Sequence, residues 1–322
     1  MSLIERAAKR LEELRRAGAV TDENAFVADD NDRQRVPTPE AVVRALDTRA
    51  HEAVAPLAPE DRSAPSQPAS MPLAARAARP PVEIDLGRLK AMGYVTPDEP
   101  QSQIADEFRV MKRPILRNAR GKAGPRSRNS SLVMVTSALP GEGKTFTALN
   151  LAMSVAMEVD HSVLLVDGDV AHPTLPDLLG VPASPGLMDL LTRSNVSLAD
   201  ALVETNIEKL TVLPAGSRHR RSTELLASEQ MANLLAELVS SQPDRIVIFD
   251  SPPLLATTEA RVLATNMGQI VMVVASDATT QHSVKHALAA LDSCEIVMMV
   301  LNKARKSDVG TYYAYYADED AP

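Results

Sequence analysis

The chain has 322 residues, a formal net charge of -8 and a pI near 5.4, so its overall charge argues against nucleic acid as the principal partner. Its one cysteine excludes an intramolecular disulfide, and no run approaches the roughly 18 consecutive apolar residues that a membrane-spanning helix needs. We therefore expect a cytoplasmic protein that has no direct membrane span and contains one folded domain.

The N-terminal part of the chain predicts a short helix and then a linker. Apolar residues at helical spacing from Leu3 to Leu14 predict an amphipathic helix over residues 1–18. Its polar face mixes acids with bases, which favours packing against protein over binding to a membrane surface. Residues 19–82 are rich in proline and alanine and predict a disordered linker, because they cannot bury enough apolar surface to offset their ordering entropy.

Residues 83–130 form the next predicted region. Residues 84–94 predict a short docking element, and residues 103–118 predict a helix with apolar side chains near one face. Basic residues overlap and follow this helix, namely Arg113, Arg117, Arg120, Lys122, Arg126 and Arg128. A solvated basic connector is favoured over a dedicated anion contact.

From residue 131 to residue 304, apolar strands alternate with helical stretches. The predicted strands are Leu132 to Thr136, Ser162 to Val166, Leu210 to Leu213, Arg245 to Phe249, Gln269 to Val274 and Ile296 to Leu301. The predicted helices are Thr145 to Glu158, Ser228 to Ser240, Thr258 to Asn266 and Thr280 to Asp292. This order predicts an α/β fold with a doubly wound, mostly parallel sheet, and a ligand beyond the carboxyl ends of its strands.

The first strand runs into Ala138-Leu139-Pro140-Gly141-Glu142-Gly143-Lys144-Thr145, the pattern of a phosphate-binding loop with alanine in place of the first glycine. The two glycines let backbone N–H groups surround phosphate oxygens, and Lys144 adds a charge for the β- and γ-phosphates. The Thr145 hydroxyl suits Mg²⁺, so the pattern predicts a P-loop NTPase that binds ATP and Mg²⁺. The expected nucleotide-binding residues are Pro140, Gly141, Glu142, Gly143, Lys144, Thr145 and Phe146.

Three acids follow two of the predicted strands at the same edge of the sheet. Asp167 and Asp169 come after the second strand, and Asp250 comes after a later one. Asp250 has the character of a Walker B acid, while Asp167 and Asp169 suit metal holding and deprotonation of an incoming hydroxyl. The predicted catalytic residues are Lys144, Asp167, Asp169 and Asp250, and the predicted metal ligands are Thr145, Asp167 and Asp250. The alternative is that such acids only cap helices or form turns.

Four of the five tyrosines, Tyr312, Tyr313, Tyr315 and Tyr316, lie in the tail formed by residues 305–322. Their spacing does not alternate as an edge strand would, and terminal tails are normally poor in aromatic residues. Phosphoacceptor sites explain the cluster better. Each phosphate adds roughly -1.5 to -2 charge, so phosphorylation would turn the segment into a self-repelling, switchable tail. Tyrosine has a reference pKa of about 10 and is therefore a poor nucleophile at pH 7. A carboxylate at the γ-phosphate that takes its proton would overcome this difficulty.

Residues 103–322 resemble the bacterial tyrosine kinases, the autophosphorylating P-loop enzymes of capsule and exopolysaccharide synthesis. The opening of the chain and its long linker are similar to the cytoplasmic autokinases associated with the exosortase system. The resemblance implies that residues 138–145, 163–169 and 246–252 are the Walker A, A′ and B motifs of a kinase domain at residues 131–304. It implies transfer of the γ-phosphate of ATP to the four tail tyrosines, in a homo-oligomer assembled through residues 83–130. It also implies a role in exopolysaccharide polymerisation and export, with recruitment to the inner face of the membrane by a chain-length determinant or co-polymerase protein.

Two positions depart from that family's pattern. The A′ motif of the family carries an arginine where this chain has Ala171, followed by His172. The family's oligomerisation helix reads Glu-x-x-Arg-x-x-Arg, and Asp106, Arg109 and Lys112 fill those places here. Charge complementarity between neighbouring subunits is compatible with these replacements. The bidentate hydrogen bonds that an arginine makes are not available to Lys112.

Two other functions stay open on the sequence. A positioning ATPase resembling the MinD and ParA group shares the predicted fold, but those proteins carry a lysine early in the loop where this chain has Leu139, and they lack a terminal tyrosine cluster. A nucleotide-binding regulator that scaffolds an export complex without turnover is the third hypothesis, and Ala171 is the feature that favours it.

Overall fold

The computed structural model describes residues 80–120 and 129–304. All of them lie in one compact unit, Ala75–Pro322. The predicted N-terminal helix, almost all of the linker, the cations Lys122, Arg126 and Arg128, and the tyrosine tail fall outside the described residues. Within the described part, no helix combines the length and the apolar character needed to cross a bilayer.

A seven-stranded sheet forms the centre of the described unit. Its strands are β1 (Leu132–Ser137), β2 (Ser162–Asp167), β3 (Val203–Glu204), β4 (Leu210–Leu213), β5 (Arg245–Asp250), β6 (Gln269–Ala275) and β7 (Val297–Asn302). Their spatial order is β3-β4-β2-β5-β1-β6-β7, and only the β3–β4 pair is antiparallel. This mostly parallel, doubly wound sheet confirms the predicted fold class.

Helices cover both faces of the sheet. They are α1 (Leu86–Ala91), α2 (Gln103–Ala119), α3 (Lys144–Ala156), α4 (Leu175–Leu179), α5 (Leu187–Thr192), α6 (Leu198–Ala201), α7 (Ser222–Leu226), α8 (Glu229–Ser241), α9 (Thr258–Ala264) and α10 (Gln281–Ala289). Alternate residues of β1 show the two layers, since Val133 and Val135 pack in the core that α2 and α3 cover. Leu132 and Met134 pack in the opposite core with residues of α8 and α9. The strand ends that carry the site are therefore fixed from both sides.

The segment before the first strand packs into the same unit. Ile84, Leu89 and Val95 are each no more than 2% exposed and belong to the core beneath α2 and α3. Asn206 holds the start of this segment, because its amide side chain bonds both the N–H and the carbonyl of Ile84, at 2.9 and 3.2 Å. The predicted docking element thus contains α1 and contacts the strand-bearing unit of its own chain.

Lys112 of α2 points into the protein rather than outward. Its side chain is 5% exposed, and its Nζ lies 2.8 Å from Glu158 Oε1 and donates to the Ser154 carbonyl at 2.5 Å. Arg109 pairs with Asp106 on the same helix. Both cations of the expected oligomerisation pattern therefore have partners inside their own subunit.

Candidate functional site

The loop between β1 and α3 needs glycine at two positions. Gly141 has φ of 79°, and Gly143, which precedes the first residue of α3, has φ of 100°, a region that other residues rarely adopt. A Cβ at Gly143 would also lie 2.1 Å from Nδ2 of Asn302. The glycines therefore allow both the turn and a close approach of the loop to the end of β7.

Side chains from the ends of β6 and β7 hold the outside of this loop. The Glu142 side chain is buried, accepts the N–H of Leu139 at 2.6 Å and accepts the Thr279 hydroxyl. Asn302 Nδ2 donates to the Glu142 carbonyl at 2.9 Å, and Lys303 Nζ donates to the carbonyl of the preceding glycine at 2.7 Å. Two carbonyl oxygens that would repel phosphate are thereby bound to donors outside the cradle.

Two predicted nucleotide-binding residues use their side chains elsewhere. The Glu142 carboxylate belongs to the contacts just described, and the Phe146 ring packs against Tyr94 and Phe108 with centroid separations of 5.0 and 6.4 Å. Both residues are left with their backbone N–H groups to offer a phosphate at the start of α3. Pro140 is exposed and has no N–H, so its contribution is to the shape of the turn.

The acids at the ends of β2 and β5 face each other. Asp167 pairs with Asp250 in the strand register, and both are almost completely buried. One oxygen of Asp167 accepts the N–H groups of Thr174 and Leu175, each at 3.1 Å, so this side chain does cap α4. Its other oxygen and both oxygens of Asp250 have no hydrogen bond of ordinary geometry. Three buried carboxylate oxygens without such a bond therefore lie at one place, with the Thr145 hydroxyl close to Asp250.

The protonation of these acids depends on burial and on one another. Burial raises the pKa of Asp250 to about 7, while the Thr145 hydroxyl and the Lys144 cation act in the opposite direction. Burial, and then the charge of Asp250, raise the pKa of Asp167 to about 7. Burial also raises the pKa of Asp169, against the opposing effects of the His172 N–H and Lys144. The structure thus brings the three predicted acids together beside Lys144 and Thr145.

The unpartnered carboxylate oxygens suit a hard cation. Buried carboxylates without donors are costly unless a positive charge neutralises them, and Mg²⁺ prefers oxygen ligands. Among the described residues, no group of three or more histidine, cysteine, aspartate or glutamate side chains could hold a metal by itself. The two buried carboxylates of Asp167 and Asp250 fit Mg²⁺, which commonly takes one or two carboxylates and completes its shell with phosphate and water oxygens.

The ends of β2 and β5, which carry the acids of the A′ and B motifs, are also joined by a backbone hydrogen bond. The Gly168 N–H donates to the Asp250 carbonyl at 2.7 Å, and a Cβ at Gly168 would lie 2.9 Å from that oxygen. Beyond Ala171, the His172 N–H donates to Asp169 Oδ1 at 3.0 Å, while its ring is mostly exposed. A backbone N–H and a mostly exposed imidazole therefore lie beside Asp169, next to the position where the family pattern has arginine.

Sequence reasoning gave no role to several residues that shape this site. Thr279, Asn302 and Lys303 reach the loop from more than 130 positions away in the chain, so no local pattern indicates the contact. Asn302 and Lys303 do follow the last strand at the carboxyl edge of the sheet. That placement was the available signal for proximity to the loop.

Comparisons with known proteins agree with this geometry. A protein-family model described as an AAA domain matches residues 131–298. Tyrosine-protein kinase YwqD of Bacillus subtilis is 31% identical over 223 residues, which cover 69% of this chain and 90% of that protein. Tyrosine-protein kinase wzc of Salmonella typhimurium is 31% identical over 193 residues, which cover 59% of this chain and 26% of that protein.

Two solved structures share the fold over about two thirds of this chain. The chimerical protein CapA2B2 aligns with a TM-score of 0.58 at 27% identity, over 70% of this chain and 94% of that chain. The kinase domain of the Escherichia coli tyrosine kinase ETK aligns with a TM-score of 0.54 at 25% identity, over 65% of this chain and 80% of that chain.

Proposed function

Because this chain belongs to the bacterial tyrosine-protein kinases, we propose that it transfers the γ-phosphoryl group of ATP to the tyrosines of its own C-terminal tail. The acceptors are Tyr312, Tyr313, Tyr315 and Tyr316. The observation that carries this proposal is the meeting of two buried acids, Asp167 and Asp250, with the loop cation Lys144, because three of the four carboxylate oxygens have no hydrogen bond of ordinary geometry.

The loop binds the triphosphate of ATP. Its inward N–H groups and the start of α3 favour negative charge, and Lys144 adds a compact charge for the β- and γ-phosphates. Thr145, Asp167 and Asp250 would hold Mg²⁺, which when bound neutralises charge on the phosphate oxygens. The donors from Thr279, Asn302 and Lys303 keep the loop in shape before the nucleotide arrives, so less ordering is needed on binding.

The A′ acids take up the proton of the acceptor tyrosine. The tyrosine oxygen forms a bond to the γ-phosphorus, the bond from that phosphorus to the β–γ bridging oxygen breaks, and ADP leaves with the electron pair. Asp167 is a stronger base than an ordinary carboxylate because burial raises its pKa to about 7. Asp169 has a 20% exposed side chain, which leaves it accessible to an incoming hydroxyl. We assign the pair a shared role in receiving the proton.

Transfer takes place between subunits of a homo-oligomer. The chain leaves the sheet at Lys303, whose Nζ is bound to the loop carbonyl of Gly141. From residue 303 to residue 312 there are only nine residues in which a tail could double back to its own site. A tail from a neighbour can approach in an extended form.

A mixed assay tests this transfer. One subunit carries Lys144→Met and an intact tail, and the other is active but carries Tyr→Phe at all four tail positions. After incubation with Mg-ATP we expect phosphotyrosine on the Lys144→Met chain, resolved by an affinity tag of different mass. An unlabelled Lys144→Met tail would overturn transfer between subunits. Phosphate release without any phosphotyrosine would instead support the positioning-ATPase alternative.

In the cell, this activity would regulate exopolysaccharide polymerisation and export. The partner would be a membrane-embedded chain-length determinant or co-polymerase protein that recruits the kinase to the inner face of the membrane. The support for this role is the kinase family itself. Adding the partner's cytoplasmic segment to the purified kinase should increase the rate of tail phosphorylation.

A further inference from the structure

A run of exposed residues that contains three arginines lies between β4 and α7. Arg218, His219, Arg220 and Arg221 are consecutive and all exposed, in a chain whose net charge is -8. None of the ion pairs found within residues 80–120 and 129–304 involves them. We call residues 218–221 the basic loop.

Carboxylates hold the basic loop at both ends. On its N-terminal side, the fully buried Asp189 accepts the Ser217 N–H at 3.1 Å. Gly216 has φ of 83°, and a Cβ there would lie 2.6 Å from Asp189 Oδ2, so the chain passes close over this carboxylate. On the C-terminal side, the Ser222 hydroxyl donates to Glu259 Oε1 at 2.9 Å. Both flanks of the loop are thus anchored by side-chain contacts to other parts of the unit.

These anchors place the basic loop beside the acids of the kinase site. β4 runs parallel to β2, with Leu213 opposite Val166, so the loop emerges at the same sheet edge as the A′ acids. Glu259, which holds the loop at Ser222, lies in the first turn of α9, the helix that follows the Asp250 end of β5. The basic loop therefore lies at the same edge of the sheet as the acids of the proposed kinase site.

The acceptor tail carries complementary charge at a matching distance. Asp318, Glu319 and Asp320 follow the tyrosine cluster directly. Three strand spacings separate β4 from β1, which is roughly 14 Å at the usual interval between strands. The four tyrosines lie three to seven residues before Glu319, a reach of roughly 10–24 Å for extended chain.

We propose that the basic loop binds the acidic run Asp318–Asp320 of a neighbour's tail and so positions the tyrosines at the γ-phosphate. This inference rests on the proposed function and deepens it by naming a substrate-recognition surface. Arg218, Arg220 and Arg221 act as specificity residues that contact the substrate away from the reacting atoms. Their contribution is to the affinity for the acidic tail, and the chemical step does not depend on them.

The test measures phosphorylation of an added tail peptide. The enzyme is the full chain with Tyr→Phe at the four acceptor positions and with Asp318→Asn, Glu319→Gln and Asp320→Asn, so that its own tail neither accepts phosphate nor competes. One substrate is a peptide of residues 305–322, and the second carries the same three acid-to-amide changes. Each is assayed with the natural loop and with Arg218→Ala, Arg220→Ala and Arg221→Ala combined. Arginine-to-lysine changes at the same positions and Lys285→Ala, an exposed cation on α10, are the controls.

With the natural loop, we expect the amide peptide to show a KM about 10-fold above that of the acidic peptide, with kcat within about 2-fold. The alanine loop should raise the KM of the acidic peptide by the same factor and leave the amide peptide unchanged. Lysine replacements should keep most of the preference, Lys285→Ala should keep all of it, and high salt should reduce it. An unchanged KM for the acidic peptide in the alanine loop, or equal losses for both peptides, would overturn the inference.

Failure of the proposed function would look different. If neither peptide is phosphorylated by the enzyme with the natural loop, the kinase proposal fails on its own. Fluorescence anisotropy of the labelled acidic peptide then still decides the docking question. Binding that weakens about 10-fold in the alanine loop, and on acid-to-amide replacement, supports the contact, and binding indifferent to both changes refutes it.

Discussion

At the scale of single residues, the most informative feature is the pair of buried acids. Asp167 and Asp250 lie opposite each other on adjacent strands and leave three oxygens without donors. Ionised carboxylates in such a place are unfavourable in the free protein, because burial disfavours the charged form. A phosphate-bound cation would reverse that penalty. The site is therefore arranged for a charged ligand at some expense to the stability of the empty protein.

This arrangement predicts how the stability of the nucleotide-free protein depends on pH. Burial raises the pKa of Asp250 from 3.8 to about 7, so the folded protein binds more protons than the unfolded chain across that interval. The free energy of unfolding should therefore fall as the pH rises from 5 to 8. Asp250→Asn should flatten this dependence and raise the melting temperature at pH 8, while phosphorylation of the tail falls by about 100-fold or more.

Thermal unfolding at four pH values between 5 and 8, without nucleotide or Mg²⁺, measures the effect. Lys285→Ala is the matched control, since it removes one exposed charge far from the acids and should leave the pH profile unchanged. A wild-type protein whose melting temperature rises steadily over this range, with Asp250→Asn following it in parallel, would contradict the assigned pKa.

At the scale of elements, the loop and the end of β7 act together. Their contact depends on the Glu142 carboxylate, which joins the Leu139 N–H to the Thr279 hydroxyl. Glu142→Ala should leave both donors without a partner and loosen the loop, so we expect the Kd for ATP to rise about 10-fold. Glu142→Gln keeps an acceptor for Leu139 and a donor for the threonine oxygen, and should bind ATP nearly as the wild type does. Isothermal titration of both variants decides the matter, and equal affinities for the two would contradict a role for these contacts.

The helix α2 offers a second prediction at this scale. Lys112→Ala leaves Glu158 and the Ser154 carbonyl without their donor, and should lower the free energy of unfolding by about 2–3 kcal/mol. This loss is set below the range that is usual for breaking a fully buried ion pair, because the Glu158 side chain is 21% exposed. Arg113→Ala removes a 64% exposed cation that lies 3.9 Å from the same carboxylate, and should change stability by less than about 0.5 kcal/mol.

Urea denaturation at two protein concentrations separates a role inside the subunit from a role between subunits. A loss that is equal at both concentrations supports the internal pair. A Lys112→Ala variant of unchanged stability would contradict the internal pair, and one destabilised only at high concentration, where subunits associate, would mean that Lys112 acts in assembly instead.

At the scale of the whole molecule, the parts that could be predicted from the sequence are those with local signals. All six predicted strands were correct to within a residue or two at each end, because each is a nearly continuous apolar run, although β7 at the edge of the sheet is only partly buried. The two-residue β3 and the short helices α4 to α7 were not predicted, since so few residues give no clear periodicity. The position of the three acids followed from the rule that parallel strands end at one edge.

Long-range features could not be predicted in the same way. The sequence pattern of an amphipathic helix predicts that Lys112 lies at the surface. Its pairing with Glu158 is seen only in the structure. The basic loop also has an ordinary solvent-exposed composition, and its meaning comes from the anchors at Asp189 and Glu259. Contacts between elements far apart in the chain decide these cases, and no single-sequence pattern encodes them.

The most direct test of the kinase account is site-resolved mass spectrometry of the full chain after incubation with Mg-ATP. We expect phosphate on Tyr312, Tyr313, Tyr315 or Tyr316 in the wild type and at least about 100-fold less in a folded Asp250→Asn variant. Phosphate confined to other residues, or tail labelling that persists in Asp250→Asn, would contradict transfer from the site formed by Lys144 and the buried acids.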